Sequence, residues 1–410
     1  MIDLALLREN PGQTKQNILK KEPSFNVELL ISLDQEVRQL KLEVEQLRHR
    51  KNELAKEAGK NFTENLRSES IELGKKLKNL EEVLQKKEAI LQKIYLECPN
   101  IPDESVPEGN KESNKIVKMW GKKREFNFTP KNHLELCDNP QWIDFNTASK
   151  LAGSNFAFYG EEGAKLLYAL SFFMLKNNTS RGFSLCLPSL LVNEKALTVS
   201  GNFPKFRENV FEVENHHLFL TPTSEVNLTN TYADHIFSMS DLPIRKTAWT
   251  SCFRTEGGGY GAHERGLIRL KQFEKVELVS FTTPENSMQE LEYMLETAEM
   301  ILQKLDLHYR VMLLAGQDCS FQSAKTFDIE VWLPGQNEYK EISSASNCTD
   351  FQARRGLIRY KKSVNDKTQL VHTLNASSLA LPRLMVAIIE TYQNSDGTIE
   401  VPDILKPYYL

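Results

Sequence analysis

A seven-residue repeat of apolar side chains in the first quarter of the 410-residue chain constrains its fold more than any other feature. From residue 30, apolar residues recur every seven positions in two interleaved series: Leu30, Val37 and Val44, and then Leu33, Leu40, Leu47 and Leu54. After a polar break at residues 58–70, a second run contains Leu73, Leu77, Leu80, Leu84, Leu91 and Ile94, with Lys87 interrupting it. Such spacing places the apolar residues on one stripe of a helix. We therefore predict two helices of roughly 30 residues that pack as an antiparallel hairpin about 45 Å long at 1.5 Å per residue.

Two roles for this helical arm remain open from its pattern alone. Most heptad segments are structural or dimerising coiled coils. The alternative is a rigid lever that binds nucleic acid through a basic surface. Residues 36–97 contain 14 Lys and Arg against 12 Asp and Glu, whereas the whole chain has a net charge of −4. Charge does not decide between the roles, because charged outer faces are normal on coiled coils.

The segment CPNIPDESVPEGN, residues 98–110, has three prolines among acidic residues and is typical of a linker. We place the domain boundary within it, with residues 1–105 forming an N-terminal domain that carries the arm at about 27–98, and residues 106–410 forming a second domain. The second domain contains strand-like runs joined by short turns, as in residues 327–344, and lacks a regular alternation of strands and helices. This favours an α+β fold with a mainly antiparallel sheet flanked by helices.

Composition limits the functional classes. The six cysteines are scattered without a CxxC pair, which argues against a zinc finger or a disulfide scaffold and suits the reducing cytoplasm. The N-terminus carries Asp3 and Glu9 and no long apolar run, so we expect neither a signal peptide nor a membrane span. Because the net charge is slightly negative, any nucleic-acid partner must use a local basic patch.

Two alternating runs surround a glycine-rich stretch at residues 257–266. In residues 248–256, one face carries Thr250, Cys252, Arg254 and Glu256, and from residue 268 one face carries Arg269, Lys271, Phe273, Lys275 and Glu277. We predict a long antiparallel hairpin with the glycines in its loop. Charges and one phenylalanine on a common face suit a flat, charged ligand, although a solvated sheet face would show the same alternation. The sequence GGGYG matches neither common phosphate-loop motif.

Four ordered segments carry a resemblance to a known family. They are TPTSEVNLTN at 221–230, FRTEGGGYGAHERGLIRLKQFEKVEL at 253–278, EISSASNCTDFQARR at 341–355 and LNASSLALPRLMVAIIETYQ at 374–393. With the helical arm, the opening DLALLRENP and the closing VPDILKPYY, they resemble the seryl-tRNA synthetases of the bacterial type over the whole chain.

The resemblance implies a class II aminoacyl-tRNA synthetase, with a six- or seven-stranded antiparallel sheet and a homodimeric catalytic domain whose interface includes Pro188. It implies a serine–tRNA ligase that activates L-serine with ATP and Mg²⁺ to seryl-adenylate and transfers serine to the 3′ end of tRNA-Ser. The arm would bind the long variable arm of that tRNA by shape and backbone charge, while the acceptor end enters the catalytic site. Whether tRNA-Sec is also a substrate stays open.

By resemblance, the catalytic residues are Arg254, Glu256 and Arg383. Arg254 would bind the α-phosphate and the serine carboxylate, because a guanidinium offers forked donors to oxyanions. Glu256 would accept from the adenine amino group, Phe273 would stack on the ring, and Arg383 would clamp the γ-phosphate. Glu341 and Ser344 would hold Mg²⁺ through oxygen ligands. The full implied ATP-binding set is Arg254, Thr255, Glu256, Leu270, Phe273, Glu341, Ile342, Ser343, Ser344 and Arg383.

The implied serine pocket is small and polar. Thr223 and Glu225 would bind the ammonium group, and Glu277 would reach both the ammonium and the hydroxyl. The full implied set is Thr223, Ser224, Glu225, Arg254, Glu277, Asn375 and Ser377. Ordinary structural explanations stay open, since Thr223 would also start a helix, and Ser377 and Ser378 would also cap a helix whose first turn contains Pro382.

The chain departs from the usual family pattern at three places. It has LNASS where the family usually has LNGSG, Pro382 precedes Arg383 where the family usually has Gly-Arg, and in its glycine-rich loop only Arg265 keeps the usual basic position. Two other functions remain to be separated from a serine–tRNA ligase. An enzyme that charges a carrier protein would characteristically lack the arm, and an inactive RNA-binding scaffold would not need the intact charged set.

Overall fold

The computed structural model describes residues 1–137, 139–257 and 266–410, so Arg265 of the predicted loop lies outside the described residues. These residues divide into two compact units, one of residues 3–99 and one of residues 1–2 with 100–410. Within the described ranges, no helix combines the length and apolar character that a membrane crossing requires.

The smaller unit consists of helices, and the predicted pair of long helices is confirmed. Its helices are Leu4–Glu9 (α1), Pro11–Lys21 (α2), Val27–Lys60 (α3) and Glu64–Leu96 (α4). The polar break is shorter than predicted, because only residues 61–63 separate α3 from α4. Helix α4 begins at Glu64, inside the predicted break, because the Thr63 side chain accepts a hydrogen bond from the Leu66 amide and caps the helix.

Ion pairs between α3 and α4 show that the two helices are antiparallel. Lys41 lies 2.8 Å from Glu88, and Arg48 lies 2.7 Å from Glu81. Lys87, which interrupts the apolar repeat, reaches Glu36 across the pair at 2.6 Å. The buried residues of the predicted seam are Leu30, Leu33, Val37, Val44, Leu54 and Leu77.

The larger unit combines helices with a mainly antiparallel sheet in an α+β arrangement, as predicted. Its described helices are His133–Leu136 (α5), Phe145–Ala152 (α6), Glu161–Ser180 (α7), Glu194–Ser200 (α8), Ser224–Asn230 (α9), Ser287–Lys304 (α10), Phe351–Gly356 (α11) and Leu381–Thr391 (α12). Its described strands are Lys115–Trp120 (β1), Ser184–Leu185 (β2), Leu191–Asn193 (β3), Glu212–Val213 (β4), Leu218–Leu220 (β5), Ile236–Ser238 (β6), Ile244–Phe253 (β7), Gln272–Thr282 (β8), Tyr309–Leu313 (β9), Lys325–Leu333 (β10), Glu338–Asn347 (β11), Arg359–Lys361 (β12), Gln369–Leu370 (β13) and His372–Ala380 (β14).

The main sheet of the described residues has eight strands in the order β1-β9-β10-β11-β14-β8-β7-β2. Neighbouring strands are antiparallel except β2, which pairs parallel with β7. The family resemblance implied six or seven strands. The short strand β2 and the exposed strand β1 extend the two edges and account for the larger number.

The predicted hairpin is confirmed as β7 and β8, in which Thr250 lies opposite Lys275. Its predicted ends were wrong, since β7 ends at Phe253, and Glu256 has a left-handed φ of 53° that is incompatible with a strand. The second run also begins later, because residues 266–268 form a 3₁₀ turn before β8. A solvated face is excluded for Lys275 and Glu277, which are 6% and 1% exposed because α9 packs against this hairpin.

Helices α7, α10 and α12 pack against the sheet, and α12 positions one side of the site. Pro382 lies in its first turn, as predicted, and the apolar side chains of α12, among them Leu384 and Ile388, are fully buried. Ser377 and Ser378 lie within β14 instead of capping α12, so that alternative explanation was wrong. The helix begins after Ala380, which leaves Arg383 in its first turn.

Candidate active site

A cavity of about 500 Å³ lies between the β7–β8 hairpin, β11 and the start of α12. Seven of the ten predicted ATP-binding residues line this cavity: Arg254, Glu256, Leu270, Phe273, Glu341, Ile342 and Arg383. These residues span about 130 positions of sequence, and the central sheet brings them together. The size and mixed polarity of the cavity suit a small charged ligand.

Arg254 is fixed by hydrogen bonds of its main-chain amide and its Nε, and its guanidinium faces the cavity. Its amide donates to the Lys271 carbonyl at 2.8 Å, and its Nε donates to the Pro222 carbonyl at 3.3 Å. The guanidinium carbon lies 5.1 Å from the centre of the Phe273 ring. In the part of the chain that the structure describes, no carboxylate forms an ion pair with Arg254. The terminal nitrogens therefore remain available to an oxyanion in the cavity.

Glu256 has a partner that the sequence analysis missed. Its Oε2 lies 2.5 Å from Nη2 of Arg269, which comes from the other side of the hairpin loop. The neighbouring Thr255 directs its hydroxyl away from this pair, to the carbonyl of Glu208 at 2.8 Å. Arg269 belonged to the predicted charged face, but alternation alone does not show which charges pair.

Arg383 is anchored on both sides of the cavity. Its Nη1 donates to the carbonyl oxygen of Glu341 at 2.7 Å, and its Nε donates to the Ile268 carbonyl at 3.2 Å. Nη1 also lies 3.5 Å from Oε2 of the Glu341 carboxylate. These contacts link the start of α12 to β11 and to the turn that precedes β8.

The predicted metal ligands, Glu341 and Ser344, lie on β11 beside a second carboxyl group, that of Asp328. Ser344 pairs across strands with Asp328 of β10, whose Oδ1 is buried and receives no hydrogen bond within the described residues. Burial and the charge of Glu341 raise the pKa of Asp328. This set of oxygen donors fits a hard cation such as Mg²⁺. The described ranges contain no group of three His, Cys, Asp or Glu that could hold a metal, so the cation would also need phosphate oxygens.

Thr223 joins the start of α9 to the hairpin floor. As the N-cap residue of α9, it accepts a hydrogen bond from the Glu225 amide at 3.2 Å. Its hydroxyl also lies 3.1 Å from Oε2 of Glu277 and donates to it. Lys275 contacts the same carboxylate oxygen. The helix-cap explanation and the predicted place in the site are therefore both consistent with the structure.

Glu225 is buried and held by side-chain amides, one of which is that of Gln322. Its Oε1 accepts from Gln352 at 2.7 Å and from Asn375 at 3.1 Å. Burial, together with the charge of Glu277, raises the pKa of Glu225 to about 7. Burial also raises the pKa of Glu277, and Lys275 opposes that rise. Gln352 of α11 was missed because no sequence pattern marks a single glutamine on a short helix.

Three of the four serine residues of the predicted sets, Ser224, Ser343 and Ser377, occupy different surroundings. Ser224 is fully buried, and its hydroxyl has no protein partner in the described ranges. Ser343 donates to the main-chain carbonyl of Ser377, which ties β11 to β14. Ser377 lines the cavity beside Lys275. The structure thus brings Thr223, Glu225, Glu277 and Asn375 into one hydrogen-bonded group next to the larger cavity.

Comparison with known proteins gives matches along the whole chain. Residues 1–102 match the seryl-tRNA synthetase N-terminal domain, and residues 209–392 match the tRNA synthetase class II core domain (G, H, P, S and T). The chain is 45% identical to the serine–tRNA ligase of Ureaplasma parvum over 100% of both chains. It is 44% identical to that of Desulfitobacterium hafniense over 100% of this chain and 98% of the relative. The solved seryl-tRNA synthetase of Pyrococcus horikoshii complexed with ATP is 33% identical, with a TM-score of 0.94 over 100% of this chain and 98% of that one.

Proposed function

We infer that this chain belongs to the seryl-tRNA synthetase family and is a serine–tRNA ligase. The reaction activates L-serine with ATP to seryl-adenylate, releases pyrophosphate, and transfers serine to the 3′ end of tRNA-Ser. One observation carries the assignment of the site: Arg254 lies between a cavity that suits a nucleotide and the polar group formed by Thr223, Glu225 and Glu277. A cation at this junction can hold both reacting groups.

ATP lies across the hairpin in this proposal. Phe273 stacks on the adenine, Glu256 accepts from its amino group, and the main chain at Leu270 contacts the nucleotide. Arg383 binds the γ-phosphate from the opposite side, where its side chain is fixed by the Glu341 and Ile268 carbonyls. Thr255, Ile342 and Ser343 complete the walls of the nucleotide site.

Activation is a displacement in which the serine carboxylate attacks the α-phosphate. It needs placement of the reacting groups and neutralisation of charge on the phosphoryl oxygens, with no covalent intermediate on the enzyme. Arg254 supplies both, because its guanidinium binds the α-phosphate and the serine carboxylate together. Mg²⁺, held by Glu341 and Ser344, would neutralise phosphate charge when bound with ATP.

Serine binds with its ammonium group against Thr223 and Glu225, and Glu277 reaches both the ammonium group and the hydroxyl. Ser224, Asn375 and Ser377 complete the pocket around it. Alanine lacks the hydroxyl and would lose its hydrogen bond to the buried Glu277 carboxylate, so the pocket should reject it strongly.

Residues 1–105 are the tRNA-binding domain in this proposal, and residues 106–410 are the catalytic domain. The long helices α3 and α4 bind the variable arm of tRNA-Ser through backbone contacts, and the acceptor end enters beside the hairpin loop. Their slight excess of basic residues supports this role. Charging of a tRNA-Sec transcript would decide whether that tRNA is also a substrate.

Exposed apolar residues support a homodimer through the face near Pro188. Leu185 and Leu187 are exposed next to it in the chain, and Tyr168 and Phe172 are exposed on α7, which packs against β2. Apolar patches of this kind on a folded protein commonly mark interfaces with another chain. A cytoplasmic location is supported by the six cysteines, which form no disulfide within the described ranges and suit a reducing compartment.

The test is ATP–pyrophosphate exchange over a panel of amino acids, followed by charging of unfractionated tRNA. We expect exchange with serine and charging of tRNA-Ser. Preferential exchange with alanine or glycine would contradict the pocket assignment. Serine exchange without tRNA charging would favour transfer to a carrier protein, and no exchange at all would favour an inactive scaffold.

A further inference from the structure

Lys275 lies beside the serine-binding carboxylates and has no role in the mechanism above. Its Nζ contacts Oε2 of Glu277, and the Thr223 hydroxyl donates to the same oxygen at 3.1 Å. These two contacts on one oxygen hold the carboxylate in a single orientation. From residues 1–137, 139–257 and 266–410, no group donates a hydrogen bond to the second oxygen, Oε1. That oxygen is therefore left for a ligand.

The buried side chains of Glu225, Glu277 and Lys275 contain two carboxylates but only one ammonium group. Glu225 and Glu277 are both buried, and Lys275 pairs with Glu277. Glu225 is held only by neutral amides, which stabilise a carboxylate less well than a cation does. Because an uncompensated buried charge is costly, one further cation is needed in this group when both carboxylates are ionised. An amino acid supplies one ammonium group.

Arg254 does not provide that cation. Its Nε is used by the Pro222 carbonyl and its terminal nitrogens face the cavity, where an oxyanion binds in the proposed function. The arrangement thus separates the two charges of a free amino acid. Its ammonium group meets the carboxylates of Glu225 and Glu277, and its carboxylate meets Arg254.

We propose that Lys275 is a positioning residue for serine: its ammonium fixes Glu277 through Oε2 and leaves Oε1 and one negative charge for the ammonium group of the substrate. The proposal rests on the proposed function of this site. Without Lys275, two carboxylates would share a single substrate ammonium, and one of them would retain a proton over a wider range of pH.

The surroundings of the two carboxylates define the expected pH dependence. The titratable and charged groups that face them are Lys275 on β8, and Cys252 and Arg254 at the end of β7, while α11 and β14 contribute the neutral side chains Gln352 and Asn375. Serine needs ionised carboxylates, so its KM should fall as pH rises through the pKa of Glu225, about 7. Lys275 lowers the pKa of both carboxyl groups, so its removal moves this change to higher pH.

The experiment compares the wild type with Lys275→Met, Lys275→Arg and the control Lys304→Met. Lys304 lies at the end of α10 and binds Asn177. ATP–pyrophosphate exchange is measured from about pH 6 to about pH 9, with serine and ATP varied separately. We expect Lys275→Met to raise the KM for serine at least about tenfold, leave the KM for ATP unchanged and move the pH midpoint of serine binding upward. Lys275→Arg should return the midpoint toward the wild-type value.

Failure of this inference can be told from failure of the proposed function. If the wild type does not exchange with serine, the proposed function is wrong. If the wild type does, but Lys275→Met keeps its serine KM and pH midpoint, Lys275 does not position serine. Should Lys275→Met not fold, Lys275→Gln takes its place, because it retains a hydrogen-bond donor without the charge. The proposal requires the same upward shift of the pH midpoint of serine binding in Lys275→Gln.

Discussion

Arg383 donates a hydrogen bond from Nη1 to the carbonyl oxygen of Glu341, 2.7 Å away, and the same nitrogen lies 3.5 Å from the Glu341 carboxylate. The residue assigned to the γ-phosphate and the residue assigned to Mg²⁺ are therefore direct neighbours. The charge of each influences the other, and both face the cavity. Removal of either charge should change how the enzyme uses the metal–ATP complex.

The first prediction concerns Glu341→Gln. The variant loses a metal-binding charge, so we expect pyrophosphate exchange to fall at least about 100-fold at low Mg²⁺ and to recover partly at high Mg²⁺. Binding of Mn²⁺ in the presence of a non-hydrolysable ATP analogue should weaken in parallel. Glu338→Gln, at the first residue of β11 and outside the cavity lining, is the matched control. An unchanged metal requirement in Glu341→Gln would place the cation elsewhere.

The second prediction concerns the adenine. Phe273→Ala removes the ring on which the base stacks, so we expect the KM for ATP to rise roughly tenfold while the KM for serine changes little. Phe273→Tyr keeps an aromatic face and should retain a nearly normal KM for ATP. The measurement is pyrophosphate exchange with ATP varied at saturating serine. Equal ATP KM values for the alanine and tyrosine variants would exclude stacking on this ring.

The third prediction concerns stability and pH. Burial raises the pKa of Glu225 in the folded protein to about 7, from an ordinary value of 4.5. The folded state therefore holds this proton more tightly, and the stability that it contributes is present below pH 4.5 and is lost as pH rises through about 7. Glu225→Gln stays neutral and accepts the same amide donors. Relative to the wild type, it should gain roughly 3 kcal/mol in unfolding free energy between acidic and alkaline pH.

Urea unfolding of both proteins at several pH values measures this difference directly. The same variant should bind serine poorly, since the neutral amide cannot pair with an ammonium group. A difference in unfolding free energy that does not depend on pH would show that Glu225 titrates near its ordinary value.

The fourth prediction concerns the helical arm. Lys41 and Glu88 are in contact across α3 and α4, so residues 42–87 can be replaced by a short glycine-containing turn between neighbouring chain ends. We expect this variant to keep serine-dependent pyrophosphate exchange and to lose charging of tRNA-Ser. Charging at the normal efficiency would mean that the arm is structural.

The fifth prediction concerns assembly. Leu187→Arg places a charge on the exposed apolar face next to Pro188 and should shift the protein from dimer to monomer in sedimentation velocity. Val364→Arg is the control, because Val364 is similarly exposed but lies far along the chain, in the loop before β13. An unchanged sedimentation coefficient for Leu187→Arg would exclude this face as the interface.

The sequence by itself determined the local elements of this protein. Heptad spacing predicted α3 and α4, alternation predicted the β7–β8 hairpin, and the threonine at 223 predicted the start of α9. These predictions succeed because periodicity and helix capping depend on residues within a few positions of each other. The ordered motifs also pointed to the residues that line the cavity.

Only the tertiary structure decided which charged groups are buried and how they pair. Alternation predicted that Lys275 and Glu277 share a face, but it did not predict that α9 would cover that face and remove both from water. It also did not predict that Gln352 would donate a hydrogen bond to Glu225 or that Arg269 would form an ion pair with Glu256. The alternation of residues along a strand shows only which face of the sheet each side chain points to. Its solvation and its partners depend on what distant segments pack against that face, and these long-range contacts set the charge balance of the serine pocket.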